Sequence, residues 1–171
     1  MPRITEINLE NASDEVRATI DAHVAKGHRI TNEKLTLLHN VPSFLALEES
    51  SYTLADELAR LIGKRAANFF EYAISIQNEC LVCTAYFTNL LRKNGIDYET
   101  FEFTDREQLL IEYGQAIAKN PKGISDELFS RMQNEFTDEE IVAVTTMGVI
   151  MIANNYFNDI LQVTPEEIIN A

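Results

Sequence analysis

Apolar residues along this chain recur mostly three or four positions apart, and strict alternation of apolar and polar residues is nearly absent. Near the N-terminus, Val16, Ile20 and Val24 share one face of a predicted helix that ends at Lys26 and Gly27. The same spacing predicts further helices over about residues 32–40, from Ser43 to Gly63, from Lys64 to Gln77, and from the cysteines at 80 and 83 to Asn94. The sequence is therefore typical of an all-α protein.

Helix starts in the C-terminal half are marked by three capping boxes, in which a threonine is followed three residues later by a glutamate. The boxes begin at Thr104, Thr137 and Thr164, and the last one has proline at the first helical position. Ser125 follows a predicted turn at residues 120–123 and can cap a further helix. Each of these signals predicts that a helix begins at the marked residue.

The segment from Tyr98 to Phe103 is the one stretch that alternates between polar and apolar residues. No second segment offers a partner strand, so we interpret it as a loop. A length of 171 residues and a hydrophobic fraction of 46% suffice for one core but are too small for two full-sized domains. We therefore expect residues 1–171 to form a single all-α helical bundle.

Both cysteines of the chain lie in one C-x-x-C motif, Cys80 and Cys83, so neither has a distant partner for a disulfide. On a helix this spacing brings two sulfurs within bridging reach through one turn, which makes a local dithiol and disulfide couple the first hypothesis. The motif falls where one predicted helix gives way to the next. The amides at the start of the second helix would stabilise a thiolate, whereas the neighbouring Glu79 would oppose it by adding like charge.

The formal net charge of -13 arises from 27 acidic and 14 basic residues spread along the chain. Such a surface repels phosphate backbones and anionic lipids, so nucleic-acid binding is disfavoured. The N-terminus is polar, and the longest apolar stretch, residues 142–153, is interrupted by Thr145, Thr146 and Gly148. We therefore expect a soluble, cytoplasmic protein without membrane contact. In a reducing compartment an isolated C-x-x-C is more often catalytic, redox-sensing or metal-binding than structural.

Other polar residues give weaker signals. His23, His28 and His39 are irregularly spaced and far in sequence from the cysteines, whereas zinc sites usually combine two close pairs of ligands. We therefore expect neither a metal nor a cofactor. A cluster of asparagines between positions 154 and 158 follows the apolar stretch, and we interpret it as hydrogen bonding between helices.

A core motif of about residues 64–95 surrounds the cysteines, and its segment from Asn68 to Gly95 resembles the carboxymuconolactone decarboxylase and alkylhydroperoxidase D-like (AhpD-like) superfamily. Flanking segments that resemble parts of its longer members lie at residues 26–30, 37–42 and 136–141, so the resemblance covers roughly residues 14–165. It implies an AhpD-like helical bundle that assembles into a homo-oligomer, as a dimer, trimer or hexamer. In the cysteine-bearing branch it also implies a thiol-dependent peroxidase that a lipoyl or thioredoxin-like reductant regenerates.

The resemblance gives the two thiols different roles. Cys83 would react with the hydroperoxide, and Cys80 would resolve the product and face the reductant. Active members of the family carry a relay glutamate twelve residues before the first cysteine and a relay histidine four residues after the second, and in this chain those positions hold Asn68 and Phe87. Such proton transfer commonly contributes about 10²–10⁴-fold in rate, so its loss predicts slower catalysis rather than none.

Two residues of this chain offer substitutes for the missing relay. Glu71 lies one helical turn from Asn68 on the same face, and Tyr86 lies three residues after Cys83, close enough to donate a hydrogen bond. The simpler interpretations are a solvated surface acid for Glu71 and a partly buried packing residue for Tyr86.

Three functions remain open from the sequence. The first is a thiol-dependent reductase of hydroperoxides or disulfides, of reduced efficiency, in antioxidant defence. The second is a non-catalytic or redox-sensing helical oligomer that retains the dithiol, with part of its interface supplied by Val142, Val149, Ile150 and Ile152. A lactone decarboxylase ranks last, because that branch of the family does not use a C-x-x-C.

Overall fold

The structure of the protein, a computed structural model, describes residues 1–168. Within these residues the regular structure is entirely helical, without β-strands, which confirms the all-α prediction. The described chain forms nine α-helices, α1 (Asp14–Ala25), α2 (Asn32–Leu37), α3 (Val41–Phe44), α4 (Ser50–Leu61), α5 (Lys64–Gln77), α6 (Leu81–Lys93), α7 (Asp105–Lys119), α8 (Asp126–Glu135) and α9 (Asp138–Leu161). Short 3₁₀ turns at Leu9–Asn11 and Pro121–Gly123 and a π-helical turn at Leu45–Glu49 complete the helical segments.

Side-chain caps fix several helix starts where the sequence predicts them. Thr104 and Thr137 form complete capping boxes with Glu107 and Glu140 at the starts of α7 and α9. Ser125 caps α8 through its side-chain oxygen. These caps satisfy backbone amides that have no partner inside the helix, so a short local sequence is enough to define each start.

The third predicted capping box is wrong. The described residues from Thr164 to Ile168 form no helix. Instead, Glu166 Oε1 accepts a hydrogen bond of 2.8 Å from the backbone N–H of Asn32, at the start of α2. The carbonyl oxygen of Glu167 accepts another, of 2.9 Å, from Asn89 Nδ2 on α6. These tertiary contacts hold the segment against α2 and α6 in place of a helix.

The chain between α2 and α4 differs from the prediction in its boundaries. The helix predicted over residues 32–40 ends at Leu37, and α3 begins at Val41 rather than at Ser43. Asn40 Oδ1 caps α3 by accepting a hydrogen bond of 2.9 Å from the Ser43 N–H, and Pro42 lies in the first turn of this helix. Proline is tolerated there because the amide it lacks would have no helical partner.

Helix α5 lies in the main hydrophobic core and packs against α7 and α9. Its Phe69, Phe70, Ala73 and Ile74 are fully buried. Gly114 of α7 permits a close approach of the two helices, because a Cβ at this position would lie 3.1 Å from the backbone oxygen of Phe70. This packing fixes the position of α5, whose C-terminal end leads into the C-x-x-C motif.

The N-terminal helices form a second, smaller apolar cluster beside this core. Its buried members are Val16, Leu37, Leu38, Val41 and Phe44. Phe157 of α9 packs against this cluster and also against the apolar cluster around the two cysteines. Helix α2 is thereby brought to the side of the molecule where α6 begins.

Helix α9 spans 24 residues and, by length and composition alone, is apolar enough to cross a membrane. The core helix of a soluble protein meets the same criterion, and α9 packs against α4, α5 and α7. Its exposed apolar residues Val142, Val149, Tyr156 and Ile160 form a surface strip, here named the α9 stripe. The described residues form a helical domain with one weakly apolar helix, and a soluble, cytoplasmic protein stays a prediction.

Candidate active site

The two cysteines lie at the start of α6. Cys80 is the N-cap residue, with extended backbone dihedral angles, and Cys83 lies in the first turn. Glu79 has a left-handed conformation, with φ of 57°, in the tight connection from α5. Both thiols are free and buried, and they are 3.5 Å apart without a disulfide. The C-x-x-C spacing thus places two thiols side by side at a helix N-terminus.

The helix start favours a negative charge on Cys80. The Cys83 thiol and the backbone N–H groups of Cys83 and Val82 donate to the Cys80 sulfur, and these hydrogen bonds lower the pKa of Cys80 below its ordinary value. Burial and the Asp159 carboxylate act in the opposite direction. The net effect agrees with the thiolate stabilisation that the sequence indicates.

Cys83 lies in the opposite environment. Its hydrogen bond to Cys80 holds its proton in place, and burial and the nearby Glu33 carboxyl raise the pKa of Cys83 further. The environment therefore favours ionisation of Cys80, to which the resemblance gives the resolving role, over ionisation of Cys83. Because the two sulfurs share a hydrogen bond, a shift of one proton from Cys83 to Cys80 would transfer the charge to Cys83.

Asparagines of α9 lie against the cysteine pair. Asn158 Nδ2 donates a hydrogen bond of 3.4 Å to Cys83 Sγ. The Asn155 amide also favours the Cys83 thiolate, and its Oδ1 accepts a hydrogen bond of 3.0 Å from Asn78 Nδ2 at the end of α5. The predicted hydrogen bonding between helices is confirmed, but the sequence analysis did not place it at the thiols.

A cavity of about 530 Å³ lies beside the pair. Cys83 lies in its wall, whereas Cys80 packs in an apolar cluster with Val163. Helices α2, α4, α5, α6 and α9 all contribute to the wall, which includes Glu33, Lys34, Tyr52, Glu71, Tyr86 and Asn154. A molecule inside the cavity can therefore contact Cys83.

The two relay positions implied by the resemblance, Asn68 and Phe87, line this cavity together with Glu71, Tyr86 and Cys83. Glu71 is not a solvated surface acid, because it is only 8% exposed and burial raises its pKa to about 8. Burial also raises the pKa of the half-buried Tyr86 to about 12. The hydrogen bonds found within residues 1–168 join neither side chain to a sulfur. Both side chains are thus neutral wall groups at neutral pH.

The N-terminal helices bring buried charges to the cavity that sequence reasoning missed. Lys34 is only 4% exposed, and its Nζ donates to Tyr52 Oη at 2.8 Å and lies 3.4 Å from Glu48 Oε2. Burial, together with the Glu48 charge, raises the pKa of the neighbouring Glu33 to about 8. These contacts depend on long-range packing, and no local sequence pattern signals them.

The three histidines make contacts away from the cysteine sulfurs. His28 stacks on Tyr52, with ring centroids 3.6 Å apart, and His23 meets both rings edge-on. Burial lowers the pKa of His23 to about 4, so this ring is neutral at pH 7. His39 Nε2 makes a hydrogen bond of 2.8 Å with the carbonyl oxygen of Thr5. Within the described residues, no three His, Cys, Asp or Glu side chains are arranged to hold a metal ion.

Several solved structures share this architecture. The apo form of the debrominase Bmp8 gives a TM-score of 0.76 at 15% sequence identity, over 95% of this chain and 91% of that one. An AhpD-core, peroxidase-related protein from Ralstonia eutropha JMP134 gives 0.73 at 18% identity, over 97% and 93%. A peroxidase-related protein from Silicibacter sp. TM1040 gives 0.71 at 14% identity, over 95% and 92%. This chain has the AhpD-like fold.

The AhpD-like fold confirms the resemblance seen in the sequence at the level of architecture. No protein-family model and no curated protein matches the chain. At identities of 14–18% these structures show the fold alone, because one fold can carry many activities. The activity of this protein has to be argued from its own site.

Proposed function

We propose that the protein is a thiol-dependent reductase of organic hydroperoxides, with Cys83 as the attacking thiol and Cys80 as the resolving thiol. The observation that carries this proposal is the free thiol pair at the start of α6, of which Cys83 lies in the cavity wall. A substrate in the cavity would meet Cys83 first, with Cys80 only 3.5 Å from it. The AhpD-like fold and its peroxidase-related neighbours support the same function.

The reaction proceeds in two steps. In the first, the Cys83 thiolate attacks the outer oxygen of the hydroperoxide, a sulfur–oxygen bond forms, and the oxygen–oxygen bond breaks. The alkoxide takes a proton and leaves as the alcohol, and Cys83 becomes a sulfenic acid. In the second step Cys80 attacks the Cys83 sulfur, the disulfide forms, and the hydroxide leaves as water with the proton of the Cys80 thiol.

Closure of the disulfide needs only a small movement. A disulfide bond is about 2.05 Å long, so thiols 3.5 Å apart have to approach by about 1.5 Å. Both cysteines lie in one helical turn, so side-chain rotation can supply most of this movement. The fold can therefore hold both redox states without rearrangement of its helices.

Regeneration requires an external dithiol that gives two electrons to the disulfide. Cys80 is fully buried and Cys83 is 5% exposed, so the cavity is the route by which a reductant meets the pair. This route favours a slender lipoyl-type dithiol over a thioredoxin-like protein, whose cysteines are part of a folded surface. Cys80 packs against Val163 in the described structure, so the reductant would attack the Cys83 sulfur.

The missing relay lowers the expected rate, because Asn68 and Phe87 cannot transfer a proton. We assign Glu71 and Tyr86 to substrate binding. Both line the cavity beside Cys83 and are neutral at pH 7, so each can donate a hydrogen bond to a peroxide oxygen.

Stopped-flow mixing of the reduced protein with cumene hydroperoxide, followed by mass spectrometry, tests the peroxidase proposal. Wild-type protein is expected to form the Cys80–Cys83 disulfide faster than a free dithiol reacts. Cys80→Ser is expected to accumulate sulfenic acid on Cys83, and Cys83→Ser to remain unmodified. A wild-type rate equal to that of a free dithiol would contradict the peroxidase and leave the redox-sensing or non-catalytic oligomer.

A second candidate, reductive dehalogenation of a small aromatic compound, is favoured by the size and lining of the cavity. Tyr52, Tyr86 and Phe87 give it aromatic walls near Cys83, and about 530 Å³ is within the range of small-molecule sites. Bmp8 is a debrominase, and one of its structures contains 2,3,4-tribromopyrrole. In this reaction Cys83 would take up the halogen as a sulfenyl halide while the ring gains a proton, and Cys80 would then displace the halide. Release of bromide from a brominated pyrrole would distinguish this activity.

We also propose that the protein is a homo-oligomer. Two residues that the sequence analysis assigned to an interface, Val142 and Val149, are 65% and 60% exposed in the α9 stripe. Ile150 and Ile152 instead pack partly against the main core. A symmetric contact through the α9 stripe would remove these apolar side chains from water.

A further inference from the structure

We propose that Glu33 of α2 donates the proton that the leaving alkoxide requires, and so replaces the missing relay. This role rests on the proposed peroxidase function. Glu33 occupies neither relay position implied by the resemblance, and it reaches the site from the N-terminal helices rather than from the helices that carry the cysteines.

The geometry joins Glu33 to the attacking thiol in two ways. Glu33 lines the same cavity as Cys83, so a substrate bound there can contact both groups. Asn158 forms the second link, since its Nδ2 donates to Cys83 Sγ at 3.4 Å and its amide is close enough to Glu33 to favour the ionised carboxyl. Glu33 therefore lies near the place where the oxygen–oxygen bond breaks.

The surroundings of one carboxyl oxygen favour the protonated form of Glu33. Glu33 is only half-buried as a residue, but its Oε1 has no solvent access and no hydrogen-bond partner. Asn158 Oδ1 is also buried and lacks a donor. A carboxylate would add a further unsatisfied acceptor, whereas a protonated carboxyl provides a donor in this environment.

On balance, burial and the neighbouring groups also favour the protonated form of Glu33. Burial and Glu48 raise the pKa of Glu33 to about 8, the coupling to Cys80 raises it, and Lys34 and Asn158 lower it. In return, Glu33 raises the pKa values of Cys83 and Tyr52. Glu33 is thus an acid poised near neutral pH and coupled to both thiols.

Glu71 is the other buried acid of the cavity, but it lacks this connection. Its pKa is raised by burial alone, without a contribution from either thiol or from Asn158. Both acids can contact a bound hydroperoxide, since both line the cavity. Of the two, Glu33 is the one whose environment includes the cysteine pair.

With Glu33 as the proton donor, every proton in the reaction is accounted for. In the reactive, singly ionised form of the thiol pair, the one remaining proton moves to Cys80 as Cys83 attacks. The sulfur–oxygen bond forms, the oxygen–oxygen bond breaks, and the alkoxide takes the Glu33 proton and leaves as the alcohol. Cys80 then attacks the sulfenic acid, its proton leaves with the hydroxide as water, and Glu33 regains a proton from solvent.

The test compares two oxidants that differ in their need for a proton. An alkyl hydroperoxide releases a strongly basic alkoxide, whereas a peracid releases a carboxylate that is stable without protonation. Glu33→Gln keeps the size and an amide donor but cannot transfer a proton. We expect Glu33→Gln to react with tert-butyl hydroperoxide about 100-fold more slowly than wild type and with peracetic acid at nearly the wild-type rate.

Further readouts separate proton donation from a structural role. Glu99→Gln is the matched control, because it makes the same change at an exposed carboxyl that does not line the cavity. Its rates with both oxidants should equal those of wild type. Glu33→Asp should recover part of the hydroperoxide rate. After correction for thiolate formation, measured by iodoacetamide alkylation, the wild-type hydroperoxide rate should fall above about pH 8 and that of Glu33→Gln should not.

The outcomes distinguish this role from the peroxidase function itself. Equal losses with both oxidants in Glu33→Gln, or a selective hydroperoxide loss in Glu71→Gln instead, would overturn the assignment to Glu33. Fast wild-type reaction with no change in Glu33→Gln would overturn it while leaving the peroxidase intact. Slow wild-type reaction with both oxidants would refute the peroxidase and the Glu33 role together.

Discussion

The main core around α5 and the cavity beside Cys83 differ in what they bury. The core buries aromatic and aliphatic side chains such as Phe69 and Phe70 at full depth. The cavity wall instead holds the carboxyls of Glu33 and Glu71 and the buried Lys34. Burial of an apolar side chain stabilises the fold, whereas burial of an ionisable group costs stability unless it is paired. The comparison indicates that one region maintains the fold, whereas the other has the buried ionisable groups expected of a candidate active site.

Among the described residues, some ionisable groups of the cavity lack a partner, which increases the difference between the cavity and the main core. Lys34 has Glu48 and Tyr52 as partners. Glu71 has no charged partner among the influences on its pKa, and Glu33 has an orphaned oxygen. Such groups remain in a folded protein only because packing elsewhere holds them in place, so the stability of the core supports the reactivity of the cavity.

The largest expected effect is the loss of stability when a residue of the main core is truncated. Phe69→Ala removes a fully buried ring that contacts Tyr98, Phe101 and Phe103, and should lower the free energy of unfolding by about 4 kcal/mol. Urea unfolding followed by circular dichroism measures this change. The alkylation rate of Cys83 in the folded variant should stay at the wild-type value, and a large change there would show that core and cavity are not separate.

A substitution in the cavity should raise the free energy of unfolding instead of lowering it. Burial raises the pKa of Glu71 to about 8 from its ordinary value of 4.5, so wild-type stability falls as pH rises from about 4.5 to 8. Glu71→Gln removes this dependence and should stabilise the protein by about 3 kcal/mol at pH 7. Urea unfolding at pH 5 and pH 8 measures the difference, and the exposed Glu99→Gln is the control. A destabilised Glu71→Gln would mean that the carboxyl is held as a paired anion.

A smaller pH effect is expected in the N-terminal helices. Burial lowers the pKa of His23 to about 4, so below pH 6.5 the unfolded chain binds a proton that the folded chain does not. Stability should therefore fall between pH 6.5 and 4, and His23→Phe should reduce the loss at pH 5 by about 2 kcal/mol. Thermal unfolding from pH 7 to 5 measures the slope, with His39→Gln as the control. Equal slopes in His23→Phe and wild type would contradict a neutral buried ring.

The smallest effect on stability is expected at the surface of α9. Val149→Glu changes an exposed residue of the α9 stripe and should alter monomer stability by no more than about 0.5 kcal/mol. If the stripe is an oligomer interface, the same change should lower the molar mass measured by light scattering after gel filtration. Val24→Glu, at a half-exposed valine of α1, is the matched control. Unchanged mass in both variants would remove the stripe as the interface.

The sequence predicts the fold well wherever the determining contacts are local. Helix α5 has the predicted bounds, and the capping boxes at Thr104 and Thr137 form as expected, because each depends on neighbours within one turn. The box at Thr164 fails because the following residues contact α2 and α6 instead. Local pattern cannot weigh such tertiary contacts.

The same distinction between local and long-range contacts applies to the candidate site. The adjacency of Cys80 and Cys83 follows from their spacing at the start of one helix. Glu71 and Tyr86 line the cavity because α5 leads into the motif and α6 carries it. The placement of Glu33 and Asn158 near the thiols could not be predicted, since these residues lie on α2 and α9 and approach the thiols only after the whole chain has packed. The predicted metal-free site, the reductant and the oligomer stay predictions.

The net charge of -13 and the neutral acids of the cavity together bear on which oxidants can react. An anionic oxidant such as peroxynitrite approaches against the field of the whole surface, whereas an uncharged hydroperoxide does not experience this repulsion. Inside, the protonated carboxyls of Glu33 and Glu71 do not add to that repulsion at neutral pH. Added salt screens the surface field over about 10 Å at 0.1 M, so it should speed the reaction with anionic oxidants and leave that with neutral ones unchanged. Under the proposed peroxidase function, the protein's acidity would thus select substrates by their charge, independent of the shape of the cavity.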